Sequence, residues 1–165
     1  MPSVRTTIVF SVPFRPDTFQ QDAGGFVVAD IRVERSELYG IDVPESLVAP
    51  AIDEFPVLFV AAAAARGRTR VTGAEELRVK ETDRIAVMRE ELSKCGANIE
   101  ERPDGLIIRH SPLKGGTVWS HRDHRIAMAM AVGALGAERP IAIRDAEAVA
   151  VTVPQFFPLL RSLYI

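Results

Sequence analysis

The chain has 165 residues, enough for one domain with a substantial core, and its 20 Lys and Arg nearly balance 22 Asp and Glu, for a net charge of −2. That balance, with no basic tail or long run of like charge, argues against nucleic acid or an anionic membrane as partner. The longest apolar run, residues 55–65, contains Pro56 and is too short to cross a bilayer; residues 1–5 do not open a signal peptide; and the single Cys95 excludes an internal disulfide. A cytoplasmic α/β chain is the expectation.

Taken in order, residues 6–12 are strand-prone and are followed by Pro13, Pro16 and polar residues. From Gly24-Gly25 the character changes: residues 26–33 alternate as a strand does, and Gly40 and Pro44 mark turns around Ile41-Asp42-Val43. Asp53 and Glu54 precede Pro56 and an alanine-rich helical run ending near Gly67. Acids just ahead of an early proline suit a helix start, so on local grounds Asp53 is a cap. Thr69-Arg70-Val71-Thr72 is strand-like, and Gly73 turns the chain into the densely charged stretch Leu77-Arg78-Val79-Lys80-Glu81-Thr82-Asp83-Arg84-Ile85, where a strand-like segment is expected to give way to a helix. That helix carries Ile85, Met88, Leu92 and Cys95 on one face, which makes Cys95 a small core residue and Gly96 the helix end. Residues 98–101 and 106–110 flank Pro103-Asp104-Gly105 as a β-hairpin, and a loop with Gly115-Gly116 leads to Asp123-His124-Arg125-Ile126-Ala127-Met128-Ala129-Met130, with Asp123 as helix cap.

The second half repeats the first. Aligning Val71 with Ile143 gives an offset of 143 − 71 = 72, which also pairs Gly73 with Asp145, Leu77 with Val149 and Val79 with Val151, and lays the helix after Asp53 over residues 127–135. Helix, short strand, turn and second helix thus occur twice, with an extra hairpin between them.

On a helix, Lys80 and Arg84 share a face and Glu81 reaches the same patch. A helix start with free N–H groups, a positive dipole end and two added cations suits a phosphate or carboxylate, with one acid beside it for proton transfer. Arg78 and Asp83 are expected to pair locally. His121-Arg122-Asp123-His124 offers two histidines and an acid, but the arginines among them repel a cation, so no metal is expected.

These motifs carry a resemblance. Residues 77–85, residues 123–130 and Ile52-Asp53-Glu54-Phe55-Pro56 resemble, in order and spacing, three segments of the 5-enolpyruvylshikimate-3-phosphate (EPSP) synthase family. The resemblance runs over residues 24–165 and leaves residues 1–23 unmatched, a segment that reads as a substituted N-terminus. It implies an enolpyruvyl transferase fold: an inside-out α/β barrel with helices inside, of which this chain would hold about two βαβαββ-type units of one lobe. It also implies transfer of the enolpyruvyl group of phosphoenolpyruvate to the 5-hydroxyl of shikimate 3-phosphate, with release of phosphate and no cofactor or metal. By motif position, Asp53 corresponds to the group that orients the 5-hydroxyl and accepts its proton, and Glu81 to the carboxylate that moves protons at the methylene carbon. Lys80 corresponds to a shikimate-phosphate ligand, Arg84 and Arg125 to the arginines that hold phosphoenolpyruvate, and His124 to a neighbouring binding residue. The family's lysine near Val151 is absent, and its Gly-Asn-x-Gly-Thr-type loop from the other lobe does not occur in this sequence. The resemblance therefore implies half a site, inactive without a second lobe. The alternatives are a non-catalytic anion-binding module and a transferase acting on a UDP-sugar, whose signatures lack Arg-Val-Lys-Glu-Thr-Asp-Arg.

Overall fold

The computed structural model describes residues 37–162 and two short strands, β1 (Gln20–Gln21) and β2 (Val27–Val28). The chain divides into two compact units, Met1–Glu37 and Leu38–Ile165. In the first, β1 and β2 pair antiparallel with Gln20 opposite Val28. Of the strand expected over residues 26–33, Val27 and Val28 are seen; its remainder, the strand-prone run 6–12 and the boundary at 23/24 lie outside the described residues.

The second unit opens with an extended segment that lies parallel to β3 (Arg68–Val71), Tyr39 opposite Arg66 and Asp42 opposite Arg70. The crossover between them is α1 (Phe55–Ala64), which starts on Pro56 in its first turn. After β3 come a 3₁₀ turn (Glu75–Val79), α2 (Arg84–Lys94) and the hairpin β4 (Asn98–Arg102) and β5 (Gly105–Arg109). The hairpin turns at Pro103-Asp104 as expected, and the sheet order is β3-β5-β4, all antiparallel. Strand, helix, strand, helix, strand, strand is thus completed once.

A second round follows. β6 (Gly116–Trp119), α3 (His124–Ala134) and β7 (Ile141–Arg144) form another parallel crossover, with Gly116 opposite Ile141 and Trp119 opposite Arg144. A 3₁₀ turn (Ala146–Ala148), α4 (Val149–Thr152) and α5 (Phe156–Ser162) close the described chain. The offset read from the sequence holds: α2 and α5 begin 156 − 84 = 72 residues apart. Gly73 and Asp145, paired by that offset, both adopt left-handed backbone, at φ 69° and 58°.

α1 is apolar around its whole circumference, as befits a helix held between a sheet and another helix. Phe55 and Phe59 stack at a tilt, 5.8 Å between ring centroids, and are enclosed with Leu77, Ile85, Met88, Leu92, Ile126 and Met130. Gly133 lets α3 approach α1: a Cβ there would lie 3.1 Å from both Val60 Cγ1 and Leu113 Cδ1. Cys95 is enclosed in the same core, as the helical spacing predicted.

Two local expectations are corrected. Residues 75–79 form a 3₁₀ turn, and Lys80 leaves it extended (φ −78°, ψ −158°). Because Asp83 caps α2, accepting from Ala86 N at 3.0 Å, the helix cannot begin before Arg84, and Lys80 and Arg84 do not share a helical face. The loop expected ahead of the second motif contains β6, in which only Val118 is buried, too little apolar alternation to read as a strand.

Candidate functional site

The site is built around a buried arginine. Arg84, the first residue of α2, is completely enclosed, and each arm of its guanidinium donates to a carboxylate. Nε and Nη2 reach Asp123 Oδ2 and Oδ1 at 2.8 and 3.3 Å, Nη2 also reaches Glu81 Oε2 at 2.6 Å, and Nη1 reaches Asp53 Oδ1 at 3.2 Å. The two motifs expected to act together are joined by this fork and by Thr82 Oγ1 donating to Asp123 at 3.2 Å.

Asp53 is not a helix cap. Residues 52–54 form a 3₁₀ turn leading into α1 without any side-chain cap, which leaves the carboxylate free for other partners. There it is bridged by two arginines, Arg84 on Oδ1 and Arg125 Nη2 on Oδ2 at 3.3 Å. Arg125 Nη1 also donates to Asp53 O at 2.9 Å and to Glu54 Oε1 at 3.1 Å. Arg125 is aimed by Asp123, whose Oδ1 accepts from Arg125 N at 2.9 Å and caps α3. Both helix starts are therefore already capped by their own aspartates, so the free N–H groups expected from sequence are partly taken.

Exposure grades the cluster. Arg84 and Asp123 are fully buried, whereas the side chains of Asp53 and Glu81 are 48% and 51% exposed, facing open solvent. Burial alone would raise the Asp123 carboxyl, but the hydrogen bond and charge of Arg84, with Arg125 N and Thr82, hold it below the usual aspartate range. Burial disfavours the Arg84 cation in turn, and Asp123, Glu81 and Asp53 outweigh that and raise it further.

Two expected residues stand apart from the cluster. Lys80 pairs with Glu76 on the preceding 3₁₀ turn. His124 lines a separate cleft of about 430 Å³ with Arg122, Asp145, Glu147, Val151 and Thr152. Arg78 and Asp83 do pair, at 2.8 Å, and Arg78 also grips the hairpin through Pro103 O, Arg102 O and Glu101. Sequence reading gave Asp123 only a capping role and missed it as the principal partner of Arg84. It also passed over Glu91, an acid on the apolar stripe of α2, one helical step from Met88 and buried like it. Among the described residues, no group of His, Cys, Asp and Glu is arranged to hold a metal ion, and no helix is long and apolar enough to cross a membrane.

Parallel β-α-β crossovers repeated at a fixed offset, with the starts of α1, α2 and α3 converging on an arginine–carboxylate cluster, define an α/β repeat protein. The profile described as EPSP synthase (3-phosphoshikimate 1-carboxyvinyltransferase) matches residues 21–160, and the chain belongs to that family. A curated relative of that name from Halorhodospira halophila is 57% identical over 143 residues, covering 86% of this chain and 32% of the relative. The one from Synechococcus elongatus is 54% identical over 140 residues, covering 84% and 31%. A solved structure of EPSP synthase from Acinetobacter baumannii superposes with a TM-score of 0.80 at 45% identity, covering 86% of this chain and 34% of that one. The chain spans about a third of the length of the relatives it matches.

Proposed function

We propose that this chain contributes one wall of a site that transfers the enolpyruvyl group of phosphoenolpyruvate to the 5-hydroxyl of shikimate 3-phosphate, in the cytoplasm, with a second lobe as the other wall. The observation that carries the reading is one carboxylate, Asp53, bridged by Arg84 and Arg125 from two separate motifs. Of the two, Arg125 is part-exposed and has the geometry to hold an incoming carboxylate, while Arg84, fully buried, lends its charge from beneath and is reached only where Asp53 or Glu81 gives way. In the reaction the 5-hydroxyl oxygen bonds to C2 of phosphoenolpyruvate, its proton passing to Asp53. The methylene carbon gains a proton and returns one by way of Glu81, and phosphate leaves with the electron pair of its bond to C2 and takes up the proton that Asp53 accepted. Asp53 and Glu81 are half-exposed, as proton-transfer groups facing a substrate must be, while Arg84 and Asp123 form the fixed base beneath them. Lys80 is paired with Glu76 and reaches the shikimate phosphate only by leaving that partner.

With the site open to water, affinity for phosphoenolpyruvate should be millimolar, roughly −4 kcal/mol, and turnover by the chain alone should be undetectable for want of a closed site. The test is titration of the ¹⁵N-labelled chain with phosphoenolpyruvate. Resonances at the starts of α2 and α3 should shift; Arg125→Ala should abolish the shifts, and Arg70→Ala, on the exposed face of β3, should leave them. If Arg70→Ala is equally damaging, binding follows net charge and the reading fails.

A further inference from the structure

Beyond the cluster, α2 carries a second buried ionisable side chain. Glu91 lies seven residues after Arg84, two helical turns along the same face, and is fully enclosed. Its neighbours Met88, Leu92 and Cys95 are apolar, and an apolar residue there would pack without the cost of burying a charge. The donors that compensate it explain the carboxylate. Glu91 accepts from Lys94 Nζ at 2.8 Å, from His121 Nε2 at 3.0 Å and from Trp119 N at 3.0 Å. Two of these three donors, Trp119 at the end of β6 and His121 in the turn that follows it, lie on the connection into α3.

That turn is unusual. His121 and Arg122 are consecutive non-glycine residues with left-handed backbone, at φ 53° and 62°, a conformation L side chains disfavour and rarely hold in succession. On its other side the turn is tied by Ser120, whose N donates to Arg144 O at 3.1 Å and whose Oγ donates to Asp145 O at 2.9 Å. Immediately after it come Asp123, which grips Arg84, and Arg125, which reaches Asp53.

We propose that Glu91 is a positioning residue: by anchoring Trp119 N and the His121 ring to α2, it holds the left-handed turn that delivers Asp123 to Arg84 and Arg125 to Asp53. α2 thus grips the turn at two points along one face, a cation at its first residue and an anion two turns later. Burial alone would raise the Glu91 carboxyl, but the hydrogen bonds from Lys94, His121 and Trp119 N outweigh it and hold it lowered, so the anchor is charged at neutral pH. Lys94, over the Trp119 ring at 5.6 Å, covers the outer side of the same contact. The consequence for substrate rests on the enolpyruvyl reading above; the consequence for the turn does not.

The experiment compares the chain with its Glu91→Gln variant by amide hydrogen exchange and by the side-chain Nε–Hε resonance of Arg125. In Glu91→Gln, amides of residues 119–125 should exchange at least about tenfold faster and the Arg125 resonance should move, while amides in the β3–β5 pairing keep their rates. His121→Asn, which tolerates the left-handed backbone but removes the ring, should loosen the same amides to a smaller degree. Glu90→Gln, one residue away and paired among the described residues with Lys94 alone, should match the parent. Unchanged protection in Glu91→Gln, an equal rise across the β3–β5 pairing, or an equal effect of Glu90→Gln would overturn the proposal. Phosphoenolpyruvate shifts seen in the parent should be lost in Glu91→Gln; their absence from the parent would count against the enolpyruvyl reading alone, since the exchange rates still decide the role of Glu91.

Discussion

Asp53 and Arg125 stand 72 residues apart, at equivalent positions of the two repeats, and their side chains meet, Arg125 Nη2 to Asp53 Oδ2 at 3.3 Å. Each lies at the start of the first helix of its unit, so packing α1 against α3 brings the two starts face to face. The site is therefore a product of the repeat: the same architectural position carries an acid in one unit and a base in the other. Because the pair is part-exposed, its coupling should be small, about 0.5–1 kcal/mol. A double-mutant cycle with Asp53→Asn and Arg125→Gln, read by urea denaturation, measures it. Coupling above about 2 kcal/mol would mean the pair is shielded from water far better than its exposure indicates.

The Arg84–Asp123 pair should behave differently, since both side chains are fully buried. Asp123→Ala leaves an enclosed guanidinium without its two-pronged partner and removes the cap of α3, and should cost on the order of 3–5 kcal/mol. Asp123→Asn keeps the cap acceptor and should cost less. Equal midpoints for Asp123→Ala and Asp53→Ala in urea would show that burial does not rank these carboxylates.

Acid should weaken the fold through the buried carboxylates. Asp123 and Glu91 are both held below their usual values in the native state, whereas unfolded Asp and Glu titrate near 3.9 and 4.3. A depressed native carboxyl stabilises fully above the unfolded value, and that contribution is lost as pH falls through the native one. Urea midpoints should therefore be flat from about pH 7 to 5 and decline below about pH 4. In Asp123→Asn the neutral-pH midpoint drops and the acid decline becomes shallower. A variant curve parallel to the parent at every pH would remove Asp123 from the account.

Much of this was legible in the sequence because it is local or periodic. The apolar stripe Ile85, Met88, Leu92 and Cys95 is a property of one helix, the Pro103-Asp104 turn of one hairpin, and the 72-residue offset of a pattern that needs no contacts. The failures are non-local. Asp53 has the sequence context of a cap and is instead claimed by Arg84 and Arg125, from elements 31 and 72 residues away. Lys80 and Arg84 have helical spacing, but the cap at Asp83 interrupts the helix between them. Glu91 looks solvent-facing by type, and only the turn that folds over it 28 and 30 residues later explains its burial.

The last prediction tests the repeat itself. Gly73 and Asp145 occupy the same left-handed position in the two units, each after the returning strand and before a 3₁₀ turn. At Gly73 the missing Cβ makes φ 69° free of strain, whereas Asp145 holds φ 58° with a side chain. Asp is among the residues that tolerate this region, and its backbone carbonyl, not its side chain, receives Ser120 Oγ at 2.9 Å. Asp145→Gly should therefore be close to neutral, relief of the left-handed strain offsetting the greater freedom glycine gives the unfolded chain, each on the order of 1 kcal/mol. Asp145→Val puts a β-branched residue where none is comfortable and should cost about 1–2 kcal/mol. Gly73→Val should cost at least as much, since a Cβ there meets Glu45 only at ordinary contact distance and the backbone alone sets the penalty. Urea midpoints for the three variants decide the matter. Should Asp145→Val be as well tolerated as Asp145→Gly, the second unit does not need the turn that the first one has, and the two are alike in outline only.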